Sequence, residues 1–241
     1  MTDLLIDCGN TRLKWRLQEQ GRVQSSGAMS VHDVNLAQLQ ARLPDKVSAL
    51  YWASVAGDER GLCLEAWAHQ NNTPCHQITT QDHWQDLNNG YQQTQQLGVD
   101  RWLAMVAARQ YTRRAVCVVD FGSAITFDYV NAKGQHEGSY IMPGARLMSH
   151  ALTRDTAKIK VAHEALEDVQ PGTSTAQAVL AGCYQMAHHG ARGLVIEAQN
   201  SGYQIVLCGG DGLALANELG LPYVEELVLD GLAQVAGLHK Q

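Results

Sequence analysis

The segment IDCGNTRLKW, starting at Ile6, returns as VDFGSAITFD, starting at Val119, and the two align without a gap: apolar residue, Asp, any residue, Gly, then Asn or Ser. Their aspartates, Asp7 and Asp120, stand 113 positions apart, close to half of a chain of 241 residues. One such segment is an ordinary hairpin turn, because Gly and Asn accept positive φ and short polar side chains bond the local backbone. The same turn opening each half of a chain signals an internal duplication. It restricts the fold to two similar halves, each led by a β-hairpin.

The surrounding periodicity agrees with an α/β layout. LLIDC, LKWRL and SALYWASV read as strands, while LAQLQARL and GLCLEAWAHQ carry apolar residues at the three-and-four spacing of a helix. From Asn71 to Gly98 the chain turns polar and rich in Gln and Asn, which predicts a long surface connection interrupted by Tyr91. A helix DRWLAMVAARQYTRR follows, with Asp100 at its start, where a carboxylate suits the helix dipole and can cap free N–H groups. After the second hairpin come GSYIMPGARLMSHAL, a strand entering a helix with Pro143 near its first turn, and a long helix from about Thr175 to Gln199. The strand YQIVLCGG and the helices GLALANELG and EELVLDGLAQVAGL complete the chain. The expected domains are residues 1–114 and 115–241.

Composition excludes several classes. A hydrophobic fraction of 45% with 17% charged residues is that of a folded chain rather than a disordered one. A net charge of −6, with Arg113-Arg114 as the densest basic spot, offers no face for nucleic acid, whose binding rests on clustered Lys and Arg. The six cysteines lack a Cys-x-x-Cys pair, and several sit in apolar runs where a thiol acts as a small buried hydrophobe, so a reducing compartment is expected. The apolar run behind Asp3 is too short for a signal peptide, and no stretch approaches a membrane span, which predicts a cytoplasmic protein.

If the two hairpins face a cleft, their glycines let backbone approach a polyphosphate closely, and neighbouring N–H groups and hydroxyls donate to its oxygens. The carboxylates repel phosphate and make sense only through cations: Asp7 through hydrated Mg²⁺, Asp120 through a second, monovalent ion. Lys14 can place positive charge over a transferred phosphate. Gly209-Gly210, between a strand and a helix, gives a nucleotide bare backbone to lie against. Taken alone, Gly209-Gly210 is an ordinary strand-to-helix turn, Lys14 a solvated strand residue and Asp128 a surface or capping residue; three glycine-bearing turns in this order favour a phosphate site.

In this order the residues resemble the superfamily of acetate and sugar kinases, heat-shock ATPases and actin. Within it, LGVDRW at residues 97–102 resembles the Gly-x-Asp-Arg motif of the type III pantothenate kinases, joined by DCGNTRLKW, VDFGSAITFDYV, GSYIMPG, TAQAVLAG and LCGGDG along the chain. The resemblance implies two similar actin-like (ribonuclease H-like) domains, each a mixed β-sheet flanked by helices, with an interdomain cleft. It implies ATP-dependent phosphorylation of pantothenate to 4′-phosphopantothenate by a homodimer that uses Mg²⁺ or another divalent cation with ATP and needs K⁺ or NH₄⁺.

By motif, it assigns Asp7, Cys8, Gly9, Asn10, Thr11, Arg12, Leu13 and Lys14 to the ATP phosphates, together with Ser123, which is commonly Thr in the family. Asp100 becomes the proton acceptor. Tyr91, Gly98, Val99, Asp100, Arg101 and Thr175 become the substrate site, and Asp120 the monovalent-metal site. Thr173 and Ser174 stand beside Thr175 and leave the register of that last assignment open. Two alternatives stand beside this reading: a related kinase for another small alcohol, and a catalytically inactive accessory or regulatory protein of the same fold. The presence of Asp7, Asp100 and Asp120 and the acidic chain disfavour the second.

Overall fold

A computed structural model describes residues 2–156, 159, 161 and 170–238. The chain divides into two compact units. The first comprises Met1–Arg113, Lys133–His136 and Glu226–Gln241; the second comprises Arg114–Ala132 and Glu137–Glu225. Among the described residues no helix is long and apolar enough to cross a membrane.

In the first unit, β1 (Thr2–Cys8), β2 (Arg12–Glu19) and β3 (Arg22–Ser30) form an antiparallel meander. After α1 (Leu36–Arg42), β4 (Leu50–Ser54) joins β1 in parallel; after α2 (Asp58–Gln70), β5 (Cys75–Gln77) extends the sheet to the order β3-β2-β1-β4-β5. Side chains alternate across a strand, so Leu4, Ile6 and Cys8 bury one face of β1 against Leu39 of α1 and Leu64 and Trp67 of α2. A small hairpin of β6 (His83–Trp84) and β7 (Leu87–Asn88) precedes α3 (Val99–Tyr111).

The second unit repeats the plan. Strands β8 (Val116–Phe121) and β9 (Ala124–Val130) form a hairpin, β10 (His136–Pro143) flanks β9, and β11 (Gln204–Cys208) joins β8 in parallel, giving the order β10-β9-β8-β11. Cys117, Val119 and Phe121 pack one face against Ala187, Ala191 and Val195 of α5 (Thr175–Asn200) and Leu215 of α6 (Gly212–Leu219). A further helix, α4 (Ala145–Asp155), packs on α5. The order of the first four strands of one sheet is thus the order of all four strands of the other, the structural form of the duplicated turn.

The final helix, α7 (Leu227–Val235), belongs to the first unit and packs on α3, β1 and β4. Its Gly231 lies so near the Leu103 carbonyl that a Cβ there would collide with backbone. Caught between the sheet and α7, α3 is buried nearly all round, from Val99 to Arg109 apart from Asp100. Arg16, buried on β2, donates through Nη1 to Asp230 at 2.7 Å and through Nε to Glu226 at 2.9 Å.

Three expectations need correction. The gapless match of the two hairpins fails at the turn: Asp7 opposes Lys14, whereas Asp120 opposes Thr126, because the second turn (Gly122-Ser123) is one residue shorter than the first (Gly9-Asn10-Thr11). Pairing therefore sets Trp15, opposite Ile6, in the place held by Phe127, opposite Val119, and not by Asp128. Asp128 is no surface residue; it is 1% exposed, facing the Val118 position across the hairpin. Pro143 ends β10 directly before Gly144, the N-cap of the next helix, which matches the expected strand entering a helix with Pro143 near its first turn. The polar stretch from Asn71 to Gly98 holds β5, the β6–β7 hairpin and a short 3₁₀ turn, Thr94–Gln96.

Candidate active site

The first unit carries two groups of the expected residues. In the β1–β2 hairpin, the Gly9 N–H donates to the Arg12 carbonyl at 3.0 Å, which closes a turn whose tip is Asn10 and Thr11. Register puts Asp7 and Lys14 directly opposite each other, so a carboxylate and an ammonium share one side of the sheet beneath that tip. Leu13 and Cys8 point the other way, into the core, and both are fully buried. Burial pushes the Cys8 thiol up to about 11, with a hydrogen bond to Ser54 acting against it, so Cys8 is a packing residue and no nucleophile. Arg12 is exposed at the start of β2.

The second group gathers at the start of α3. Gly98 is its N-cap and Asp100 stands in the first turn, the Asp100 carboxylate accepting the Arg101 N–H at 2.8 Å. That carboxylate lies over Gly98, 2.5 Å from where a Cβ would stand, so a larger residue at 98 would displace it. Arg101, only 8% exposed, donates through Nη1 to the Tyr91 hydroxyl at 3.0 Å, and its guanidinium carbon sits 5.6 Å from the Tyr91 ring centre. Tyr91 stacks on the buried His136, with ring centres 5.7 Å apart and planes 12° off parallel. The polar connection is thus pinned by what Tyr91 touches. It is also pinned by Asp86, which accepts from Arg109 of α3 and from Arg113 just beyond that helix. Burial raises the Asp86 carboxyl, but the two guanidiniums outweigh it and hold the group below its ordinary value.

Val55 links the two groups. Its N–H donates to the Cys8 carbonyl at 3.0 Å, and its side chain reaches within 3.8 Å of the Cβ position of Gly98. Neither Val55 nor His136 is marked by its own sequence context. Val55 follows an unremarkable strand, and His136 lies 45 positions from the ring it supports.

In the second unit, Asp120, next to last in β8, lies between two glycine backbones. Gly209 has φ of +86°, and a Cβ there would strike the Asp120 carboxylate; Gly122 has the same carboxylate 3.4 Å from its Cβ position. The Tyr223 hydroxyl donates to the Gly209 carbonyl at 2.9 Å, and the Asp211 N–H donates to the Phe121 carbonyl at 3.0 Å, which ties the Gly209-Gly210 turn to the hairpin. A single carboxylate set among backbone suits a weakly held monovalent cation. Among the described residues no three His, Cys, Asp or Glu side chains cluster around a metal position.

Ser123 forms the tip of the hairpin, accepting from Arg146 of α4 at 3.1 Å, while its carbonyl accepts the Gly144 N–H at 2.9 Å. Arg146 was not foreseen from the sequence. At the start of α5 the Ser174 hydroxyl caps the helix by accepting the Gln177 N–H, and Thr173 bonds the Gln177 side chain. Thr175, the first helical residue, is exposed.

The two mixed sheets, each with a leading hairpin and a parallel neighbour, are shared with solved structures. A Baf family protein from Campylobacter jejuni, described as a transcriptional activator, superposes with a TM-score of 0.58 at 20% identity, covering 97% of each chain. An activator of 2-hydroxyisocaproyl-CoA dehydratase from Clostridium difficile, solved with bound ADPNP, gives a TM-score of 0.53 at 11% identity, covering 98% of this chain and 94% of that one. The fold is that of the actin-like, ribonuclease H-like class of ATPases and sugar kinases. A type III pantothenate kinase from Hahella chejuensis is 34% identical over 239 residues, 98% of each chain. The family model for type III pantothenate kinase matches residues 3–197, and the chain belongs to that family.

Proposed function

We propose that this protein transfers the γ-phosphoryl group of ATP to the primary hydroxyl of pantothenate, giving 4′-phosphopantothenate and ADP, the first step of coenzyme A biosynthesis. The observation that carries the reading is the family match over residues 3–197, which takes in Asp7, Asp100, Arg101, Asp120 and Thr175. Phosphoryl transfer is mostly positioning and charge neutralisation, with a carboxylate receiving the proton of the attacking hydroxyl. Asp100 takes that proton; its place in the first turn of α3 gives it a rigid mount and the positive end of the helix dipole. Arg101, steadied by Tyr91, binds the substrate carboxylate, with Gly98 and Val99 contributing close backbone and Thr175 a hydroxyl.

The first hairpin, Asp7 to Lys14, holds the ATP phosphates: Gly9, Asn10 and Thr11 supply donors at the tip and Lys14 neutralises charge on the transferred group. Cys8 and Leu13 anchor that hairpin from below, and Arg12 adds an exposed cation. Ser123 bonds the nucleotide from the second hairpin. A divalent cation carried on ATP would supply charge neutralisation and phosphate alignment, and Asp7 would be the residue that helps hold it. Asp120 binds K⁺ or NH₄⁺; the glycine-walled setting of its carboxylate supports that role.

A homodimer is part of the same reading. It is supported by Leu147 and Leu152 on α4 and by Met186 on α5, apolar side chains that are 40%, 39% and 71% exposed on two helices packed together. The test is ADP release from ATP with pantothenate, simple sugars or acetate as acceptor, with and without potassium, and mass spectrometry of the product. Pantothenate-dependent ADP release with a phosphorylated pantothenate product is expected. Turnover only with another alcohol, or none with any, would overturn the reading.

A further inference from the structure

The second unit holds a cavity of about 290 Å³ that the proposed chemistry does not use. It is bounded by β9, the first half of β10 and the turn between α5 and β11. Three tyrosines wall it. The Tyr129 ring stands edge-on to Tyr140, with centres 5.9 Å apart and planes at 86°, and edge-on to Tyr203, at 5.2 Å and 84°. The rings therefore meet at right angles rather than in a stack, with Tyr140 and Tyr203 both turned on Tyr129. Glu137 and Glu197 add two carboxylates, and among the described residues no basic side chain lines the space.

Packing accounts for Tyr129 and Tyr203, which both join the core, but not for the rest: Tyr140 is 52% exposed, and both glutamates are exposed. Glu137 is oriented by two donors, the Tyr203 hydroxyl and, at 2.9 Å, the Asn131 amide. A carboxylate has about four lone-pair sites, so those two bonds leave its charge and part of its accepting capacity for a guest. The hydrogen bond to Glu137, aided by burial, pushes the Tyr203 hydroxyl up to about 12. Burial also raises the Tyr129 hydroxyl, with Cys117 and, last, the charge of Glu197 adding to it. Both rings are thus neutral walls at physiological pH, set in a negative potential.

We propose that this cavity is a binding site for a small organic cation of the alkylated-ammonium class, held by the faces of Tyr129, Tyr140 and Tyr203 and by the charges of Glu137 and Glu197. A metal ion is the poorer fit, since aromatic walls offer it no ligand atoms and a hard cation gives up its water reluctantly. An alkylated ammonium carries diffuse charge and an apolar surface, and both match tyrosine faces. The volume lies at the small end of ligand pockets, which suits a head group of a few carbons. The inference is independent of the phosphoryl-transfer reading, because none of these five residues belongs to it.

The test is calorimetric titration of the full chain with choline chloride. The controls are 3,3-dimethylbutan-1-ol, which has the same shape without charge, and sodium chloride at equal ionic strength. Saturable choline binding is expected, with the neutral analogue roughly tenfold weaker or worse. Tyr140→Leu should weaken choline about fivefold and Glu197→Gln about threefold. Both positions are exposed, so melting temperature and ADP release should match the parent. Equal binding of choline and its neutral analogue, no saturable binding, or unchanged affinity in Tyr140→Leu would each overturn the proposal.

Discussion

Arg101 reaches the Tyr91 hydroxyl at 3.0 Å from a position almost wholly inside the first unit, and the ring it meets is backed by His136. The hydroxyl therefore acts on Arg101, the group proposed to bind the substrate carboxylate. Tyr91→Phe keeps the ring and removes that acceptor. The expected result is a rise in KM for pantothenate of about fivefold, the value of one hydrogen bond to a charged group, with kcat little changed. Steady-state kinetics at varied pantothenate will show it.

Asp100→Asn keeps size and polarity and removes the proton acceptor. Turnover should fall by roughly 10² or more, while ATP binding and melting temperature stay near those of the parent. Near-parental kcat would remove Asp100 from the proton-transfer role.

The Asp120 carboxylate, set among the backbones of Gly122 and Gly209, is proposed to hold a monovalent cation. Replacing potassium by sodium in the ADP-release assay should lower the rate, and Asp120→Asn should abolish the difference between the two salts. Equal rates in both salts with the parent protein would argue against the ion.

Asp86 gives a prediction about acid. Its carboxyl is depressed in the fold by Arg109 and Arg113, against the raising effect of burial, so the stability it contributes is complete above the ordinary carboxylate value of 3.8 and is lost as pH falls through the lower folded value. Asp86→Asn leaves Arg109, whose side chain is 1% exposed, without its carboxylate. The cost should be about 2 kcal/mol at neutral pH, below that of breaking a fully buried pair because Asp86 itself is 37% exposed and screened. Urea unfolding at a series of pH values should show the gap between parent and variant narrowing below pH 3.8.

Two glycines should respond oppositely to alanine. At Gly231 the added carbon strikes the Leu103 carbonyl, so Gly231→Ala should destabilise by about 1–3 kcal/mol. At Gly193, inside α5, nothing lies within 4 Å of the added carbon. There Gly193→Ala should be neutral or stabilising by up to about 1 kcal/mol. Thermal melts of the two variants make the comparison.

What the sequence conveys and what it hides divide along physical lines. The two Asp-x-Gly turns, the parallel strand beside each unit's first strand (β4 and β11) and the apolar helix α3 were legible, because each is written in local periodicity. The strand β3 was not: as an edge strand it is mostly exposed, and RVQSSGAMS lacks the alternation that a buried face imposes. Arg16 and Asp128 occupy strand positions where a charge ordinarily points to solvent, and both are buried. The partners of Arg16 lie more than 200 residues away, beyond any window of periodicity. The one-residue difference between the two turns was invisible for another reason. A gapless match is the simplest reading of the two segments, and only pairing reveals that the returning strand has slipped.

The return of α7 to α3, sealed by Gly231 against Leu103 and by Arg16 against Glu226 and Asp230, has a bearing on how the chain is made. A ribosome releases β1 to α3 well before α7, so the first unit spends the synthesis of the second unit with α3 uncovered by α7. Its completion waits on the translation of α7. Fusions or truncations that delay or remove residues beyond Glu226 therefore act on the half of the protein that was synthesised earliest.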